Sequence, residues 1–191
     1  MTLTRRDWLA HAAAAPIALA SARSRTPADG AVTLLVTRHC EKGSNDPKDP
    51  DLSEAGRARA AALATLLGHA GVSHLFASEW KRTQQTLAPI AQSHHLTTAV
   101  ASAADLETLA TKLLALPAGA VALIAGHSNT VPALVRRLGG TITGSGDGLA
   151  HDGKNELLPD DEFGRLMVLV LPAPGAAERS ALVALDLRYG A

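Results

Sequence analysis

Arginine and histidine side chains lie at or just beyond the ends of three apolar stretches of the sequence. Arg38 and His39 follow a stretch typical of a buried strand, Arg82 follows a second, and His127 follows a third. Because open α/β sheets bind ligands beyond the carboxyl ends of their strands, we expect these four side chains to share one crevice. Guanidinium groups bind phosphate through paired N–H donors, and an imidazole beside them can act as a nucleophile. The four residues therefore predict a site for phosphoryl transfer.

The same residues stand within a longer series of short motifs. In chain order, the motifs are Arg38-His39-Cys40-Glu41, Asn45, Leu52-Ser53-Glu54-Ala55-Gly56, the segment from Ser78 to Thr86, and Gly126-His127-Ser128. This combination resembles the histidine phosphatase superfamily, the group that includes phosphoglycerate mutases and many small phosphatases. The resemblance extends from about Val32 to Gly139. It departs from the family pattern at Cys40, where glycine is usual, and at Arg59, where glutamine is common.

The order of elements predicts the fold that the resemblance implies. Strands alternate with helices, which indicates a three-layer α/β/α fold with a mostly parallel central sheet, as in phosphoglycerate mutase-like proteins, and the last two strands are expected to pair antiparallel at the sheet edge. His39 is expected to form a phosphohistidine that water hydrolyses, while Arg38, Arg82 and His127 hold the phosphoryl group. Positive neighbours should disfavour protonation of His39. These built-in cations make a metal or another cofactor unnecessary, so the predicted function is a metal-independent phosphatase acting on a phosphomonoester.

Several further residues are candidates for the same site. The resemblance implies a carboxyl acid between the second arginine and the second histidine, where the chain offers Asp105 and Glu107, although Asp105 is also a natural N-cap. Glu41 is a reserve candidate for the acid, and otherwise a loop charge or the partner of an arginine. Asn45 is predicted to contact the phosphate or to serve as a turn residue. Ser128 is predicted to contact the substrate and to cap the helix that follows it.

Three other functions fit part of this pattern. A phosphoglycerate mutase-type phosphotransferase would share the site, but only 44 residues separate Arg82 from His127, and no Glu-Arg-x-Tyr-Gly segment is present. A hydrolase with Ser128 as nucleophile would need glycine in place of Thr130. A non-catalytic protein that binds phosphoryl ligands would have no need of His39.

The first part of the chain resembles a twin-arginine export signal. Within residues 1–22, Arg5 and Arg6 precede an Ala-rich stretch that is too short for a membrane span and ends in small-residue cleavage sites. We therefore expect a periplasmic or secreted protein, and the alternative is a cytoplasmic protein with an N-terminal extension. Residues 23–30 are expected to be a flexible lead-in, and residues 31–191 a single catalytic domain.

Composition narrows the class of partner. The formal net charge is zero, which gives no indication of nucleic acid, or of a membrane surface after processing, as a partner. The sole cysteine, Cys40, excludes an internal disulfide and is expected to pack beside the site. Residues 144–161 are rich in acidic side chains and are expected to form either a lid or a disordered loop. These features favour a small monophosphorylated metabolite or a sugar phosphate as the substrate.

Overall fold

A six-stranded sheet lies at the centre of the part of the chain that the structure describes. The structure, a computed structural model, describes residues 30–142, 149–176 and 183–190, so the predicted export signal lies outside the described residues. The helices are α1 Glu54–Leu67, α2 Lys81–His94, α3 Leu106–Leu114 and α4 Thr130–Arg137. The strands are β1 Val32–Arg38, β2 His74–Ser78, β3 Thr98–Ala101, β4 Val121–Gly126, β5 Ala150–His151, β6 Glu156–Leu157, β7 Arg165–Leu171 and β8 Val183–Arg188.

The strand order of the sheet is β3-β2-β4-β1-β7-β8. The first four strands are parallel, whereas β7 pairs antiparallel with β1 and β8 pairs antiparallel with β7. The mostly parallel sheet and the antiparallel pair at its edge are both confirmed. In the β1–β4 pair, Arg38 lies opposite Gly126. The residues that follow, His39 and His127, therefore leave the sheet side by side.

Both faces of the sheet are covered, which confirms the three-layer arrangement. Val32, Leu34 and Val36 of β1 pack in one core with residues of α3 and α4, whereas Leu35 packs in a second core with residues of α1 and α2. Successive side chains of a strand point to opposite faces, so a central strand buried on both faces is apolar at nearly every position. Thr37 and Arg38 are the buried exceptions, and the Thr37 hydroxyl donates to the carbonyl oxygen of Arg165 at 2.9 Å.

Helix α1 lies directly against the loop that follows β1. The Ser53 side chain accepts a hydrogen bond from the Gly56 N–H at 3.0 Å and so caps the start of the helix. The Ser53 N–H in turn donates to the Glu41 carbonyl at 2.9 Å. A β-carbon placed on Gly56 would lie 2.1 Å from that carbonyl oxygen. Only glycine allows the helix to approach the loop this closely.

The predicted lid or loop at residues 144–161 falls partly outside the described residues. From residue 149 onward it contains the short antiparallel pair of β5 and β6. Arg136 of α4 contacts Glu156 of β6 through two hydrogen bonds of 2.9 and 3.0 Å. The hairpin is thereby tied to the helix that begins beside His127.

Candidate active site

The four side chains at the strand ends lie together, as the sequence predicts. The rings of His39 and His127 are 5.4 Å apart between centroids and meet edge to face. Arg82, in the first turn of α2, approaches the Nδ1 atom of His127 with its Nη2 atom at 3.3 Å. Arg38, His39 and His127 are buried, whereas Arg82 is partly exposed. Two cations and two imidazoles therefore converge at the carboxyl edge of the sheet, beside the N-terminal end of α2, where the helix dipole favours an anion.

The hydrogen bonding of His39 determines which ring nitrogen can attack. Its Nδ1 atom lies 2.7 Å from the carbonyl oxygen of Cys40. Because a carbonyl oxygen only accepts hydrogen bonds, Nδ1 carries the proton and the lone pair lies on Nε2. Burial lowers the pKa of His39 to about 3, against a hydrogen bond to Cys40 that raises it, and nearby Arg38 lowers it further. The direction agrees with the prediction, although burial rather than charge is the main cause.

His127 is held as a neutral imidazole with the opposite tautomer. The guanidinium of Arg82 can only donate, so Nδ1 of His127 accepts and Nε2 carries the hydrogen. That N–H donates to the hydroxyl of Ser78 at 2.8 Å, and Ser78 also contacts the hydroxyl of Thr83 at 2.8 Å. Burial, followed by the charge of Arg82, lowers the pKa of His127 to about 4. Ser78 was part of a motif in the sequence, but its contact with His127 was not predicted.

Arg38 is held by hydrogen bonds to a distant segment of the chain, residues 159–162. Its Nη1 atom donates to the carbonyl oxygens of Pro159 at 2.6 Å and Asp160 at 3.2 Å, and it lies 3.4 Å from that of Glu162. The ring of Phe163 lies under the guanidinium, 4.3 Å from the carbon Cζ. Within the described residues, the buried Nε atom of Arg38 has no hydrogen-bond partner. Leaving such a donor unpaired costs about 1–3 kcal/mol, which an anionic ligand would relieve.

Arg82 is steadied by an aromatic ring and by a carboxylate. Its guanidinium lies 4.9 Å from the ring centre of Trp80, and its Nη1 atom is 3.8 Å from a carboxylate oxygen of Asp49. The same Asp49 oxygen accepts from the N–H of Lys81 at the start of α2. Burial lowers the pKa of Arg82, while the carboxylates of Asp49 and Glu79 raise it.

Glu41 and Asn45 have structural partners instead of an open position in the site. Glu41 accepts two hydrogen bonds from the Nε atom of Arg59, at 2.8 and 3.0 Å, which confirms the alternative of an arginine partner. Arg59 also donates to the backbone carbonyl of Tyr189 at 3.1 Å. The amide of Asn45 donates to a carboxylate oxygen of Asp51 at 2.7 Å, in an exposed loop. Contact of Glu41 or Asn45 with a phosphate stays a prediction.

The candidate acids Asp105 and Glu107 both have partners outside the site. Asp105 caps α3 by accepting from the N–H of Thr108 at 3.0 Å, so the N-cap alternative is confirmed. That bond lowers the pKa of this exposed carboxyl, which is the wrong direction for a proton donor. Glu107 is exposed and forms an ion pair with Arg137. Glu79, which the sequence reasoning passed over, has a charge that raises the pKa of His127. Glu79 is exposed and its carboxylate accepts from the N–H of Ala103 at 2.8 Å, so a role as the acid is a hypothesis that rests on this charge.

The prediction that Ser128 caps α4 is wrong. Asn129 occupies the N-cap position without a side-chain hydrogen bond, because its backbone is already helical. The hydroxyl of Thr130, one residue into the helix, accepts instead from the N–H of His127 at 2.8 Å. The carbonyl of Ser128 accepts from the N–H of Leu158 at 2.9 Å. The predicted contact between Ser128 and the substrate is not tested by this arrangement.

Cys40 packs beside the site, as predicted. Its side chain is fully buried in a small cluster with Leu52 and Ala60. Burial raises the pKa of the thiol to about 11, so a reactive thiolate is disfavoured. Among the described residues, no group of three or more histidine, cysteine or acidic side chains is placed to hold a metal ion. No helix in the described ranges has the length and apolar character needed to cross a membrane.

Comparison with known proteins gives independent support for this site. The family model described as histidine phosphatase superfamily (branch 1) matches residues 34–107, a range that includes Arg38, His39 and Arg82. His127 lies beyond the matched range, and its place in the site follows from the pairing of β1 with β4. No curated protein sequence matches the chain significantly.

Solved structures extend the likeness to most of the chain. A protein from Nakamurella multipartitia assigned as the phosphohistidine phosphatase SixA is 26% identical, with a TM-score of 0.56, covering 87% of this chain and 100% of that one. A protein histidine phosphatase SixA complexed with tungstate is 16% identical, with a TM-score of 0.59 and coverage of 82% and 96%. A mycobacterial glucosyl-3-phosphoglycerate phosphatase is 16% identical, with a TM-score of 0.55 and coverage of 80% and 98%. At 16% identity, the last two structures show a similarity of fold alone.

Proposed function

Because this chain carries the fold and the sequence signature of the histidine phosphatase superfamily, we propose that it is a metal-independent phosphatase that hydrolyses a phosphomonoester through a phosphohistidine on His39. One observation carries the proposal. The bond from Nδ1 of His39 to the Cys40 carbonyl leaves Nε2 unprotonated, beside Arg38, Arg82 and His127. A neutral imidazole with a defined free nitrogen is what nucleophilic attack on phosphorus requires.

The proposed reaction has two displacements at phosphorus. In the first, Nε2 of His39 forms a bond to phosphorus while the bond to the leaving oxygen breaks, and that oxygen takes up a proton. In the second, water attacks phosphorus, the P–N bond breaks with its electron pair returning to Nε2, and the water gives up a proton as inorganic phosphate departs. Arg38 and Arg82 would offset the charge on the non-bridging oxygens, while His127, whose Nε2–H is donated to Ser78, would hold Arg82 through its Nδ1 atom.

The proposed substrate is a small phosphomonoester, such as a sugar phosphate. The near-neutral chain and the carboxylates of Asp160 and Asp161, which act on Arg38, disfavour a highly phosphorylated polyanion. Phosphohistidine is the second candidate, because the 26% identical relative is assigned as a phosphohistidine phosphatase. In the described part of the chain no carboxylate forms an ion pair with His39 or His127, which suits a leaving group that needs little acid assistance. A panel of sugar phosphates, aryl phosphates and phosphohistidine peptides would separate the two candidates.

His39→Ala tests the reaction class. We expect it to remove turnover of an aryl phosphate and to remove the acid-labile phosphoenzyme that rapid quenching traps in the unchanged protein. His69→Ala, an exposed histidine just beyond the end of α1, serves as the matched control and should retain both. Full hydrolysis by the His39→Ala protein would refute the nucleophile assignment. Interconversion of phosphoglycerates faster than phosphate release would favour a mutase instead.

We further propose export of the folded domain to the periplasm. The proposal is supported by Arg5 and Arg6 ahead of an Ala-rich stretch in residues 1–22. N-terminal sequencing of the protein from its native host should find a start near residue 21 or 23. An intact Met1 or Thr2 in the cytosolic fraction would contradict export.

A further inference from the structure

The contacts of Arg38 leave only one edge of its guanidinium available. Its Nη1 atom is occupied by the carbonyl oxygens of residues 159, 160 and 162. No described residue accepts a hydrogen bond from Nε or Nη2, and Nε is buried. Because the guanidinium is planar, fixing Nη1 also fixes the direction of the Nε–Nη2 edge. That edge is a two-donor fork suited to two oxygens of one phosphate.

The Phe163 ring contacts the guanidinium of Arg38 and lies close to the ring of His39. Its ring lies 4.3 Å from the Cζ atom of Arg38 and 6.0 Å, between centroids, from the ring of His39. Phe163 is half-buried, and it also lines a cleft of about 480 Å³ together with Pro159, Glu162 and Tyr189. The aromatic ring therefore stands between an open cleft and two buried groups of the site.

The segment that carries Phe163 is anchored on both sides. The N–H of Leu158 donates to the carbonyl of Ser128, and the carbonyl of Gly164 accepts from the N–H of Tyr189 at 2.8 Å. Glu162 is held by ion pairs with Arg165 and Arg188. Arg165 is itself buried, and its Nε donates to the carboxylate of Asp186 at 2.8 Å. A segment fixed by so many independent contacts can hold an aromatic ring in one position.

We propose that Phe163 is a positioning residue for the phosphatase reaction: it holds Arg38 with the Nε–Nη2 edge toward the phosphate and keeps cleft water away from His39. This inference rests on the proposed function, since it assigns Phe163 a part in that reaction. The attraction between a guanidinium and an aromatic face supplies the orientation. The apolar bulk of the ring keeps water in the cleft from reaching His39.

Because the Phe163 ring keeps water from His39, removing the ring should change the pKa of His39. The charged and titratable groups that face His39 are Arg38, Arg82 and His127, and the carboxylates of Asp160, Asp161 and Glu162 act on Arg38 in turn. None of these groups is altered when Phe163 is truncated. Because burial is the largest cause of the low pKa of His39, water admitted through the cleft should raise that pKa.

Three variants of Phe163 distinguish its effect on the orientation of Arg38 from its exclusion of water from His39. Phe163→Ala removes both, and we expect kcat to fall about tenfold or more, with a smaller change in KM. It should also move the NMR titration of the His39 imidazole upward by about one pH unit or more, with the signal assigned from its loss in His39→Asn. Phe163→Leu keeps apolar bulk without the aromatic face, so kcat should fall while the titration stays near that of the unchanged protein. Phe163→Tyr should restore both.

The controls decide between a positioning role and a structural one. Phe76→Leu removes the other phenylalanine of the chain from a buried core position and should lower the melting temperature without moving the His39 titration. A folded Phe163→Ala protein with unchanged kcat and unchanged titration would overturn the inference. Equal losses in Phe163→Tyr and Phe163→Ala would also overturn it. The proposed function fails separately, since its test is whether His39→Ala loses the turnover and the phosphoenzyme that the unchanged protein shows.

Discussion

Lowering the pH from 6 to 5 should destabilise this protein through two histidines rather than through its carboxylates. His39 and His127 have pKa values of about 3 and about 4 in the folded protein, against an ordinary value of 6.5. The groups that face them are Arg38, Arg82 and each other, with Glu79 beside His127 as the one opposing charge. The unfolded chain therefore binds two protons that the folded protein does not.

The sign and the size of the effect follow from proton linkage. Above about pH 7.5 both states hold these imidazoles almost wholly neutral, so they add little pH dependence there. Below it, the unfolded state gains protons and the free energy of unfolding falls with pH, until the folded pKa values are reached. An unfolded imidazole is roughly nine-tenths protonated near pH 5.5, and one proton is worth about 1.4 kcal/mol per pH unit. Two histidines should therefore remove about 2.5 kcal/mol between pH 6 and pH 5.

Urea unfolding in phosphate-free buffer at pH 5.0, 5.5, 6.0 and 6.5 measures this slope. The variants His39→Asn and His127→Asn should each halve the slope, because each deletes one imidazole from both states. A slope near zero in the unchanged protein, or one that survives both site substitutions, would refute the link between burial and proton exclusion.

Three further results are expected. Gly56→Ala should lower the free energy of unfolding by about 1–3 kcal/mol, because the new β-carbon would lie 2.1 Å from the Glu41 carbonyl oxygen. Gly68→Ala, where the nearest atom is 3.4 Å away and φ is −55°, is the matched control in the same chemical denaturation assay, and equal losses would contradict the close approach. Glu79→Gln should slow hydrolysis of alkyl phosphates at least about tenfold while sparing p-nitrophenyl phosphate, and an equal effect on both substrates would exclude an acid role. Cys40 should resist alkylation by iodoacetamide in the native protein and react once urea unfolds the chain, so rapid native labelling would contradict its burial.

The sequence allowed the central sheet and four residues of the site to be predicted, because both depend on local patterns. Apolar stretches mark the buried strands, and parallel strands bring their carboxyl ends to one edge, so Arg38 and His127 had to be neighbours if β1 and β4 paired. Asp105 illustrates an ambiguity that local pattern cannot resolve, since an exposed carboxyl before a helix suits both a cap and an acid. Ser128 was assigned the capping role that its residue type favours, but the chain is already helical one residue later.

The contacts that hold Arg38 could not be predicted from local pattern. The carbonyl groups that bind it come from residues 159–162, more than 120 positions away in the chain. Backbone carbonyls carry no sequence signal, because every residue type has one. Phe163 offered a faint signal as one of only two phenylalanines, but nothing near it in the sequence indicates a guanidinium partner.

Contacts between the region of β1 and Tyr189 determine when the site can be assembled during synthesis of the chain. The hydroxyl of Thr37 contacts that of Tyr189 at 3.0 Å, and Arg59 links Glu41 to the carbonyl of Tyr189. A ribosome that has translated through α4 has already supplied both imidazoles and both site arginines. These side chains then have no Tyr189 and no β7 to pack against. The site therefore becomes complete only when residues up to Tyr189 have left the ribosome, and nascent chains arrested before that point should bind phosphate poorly.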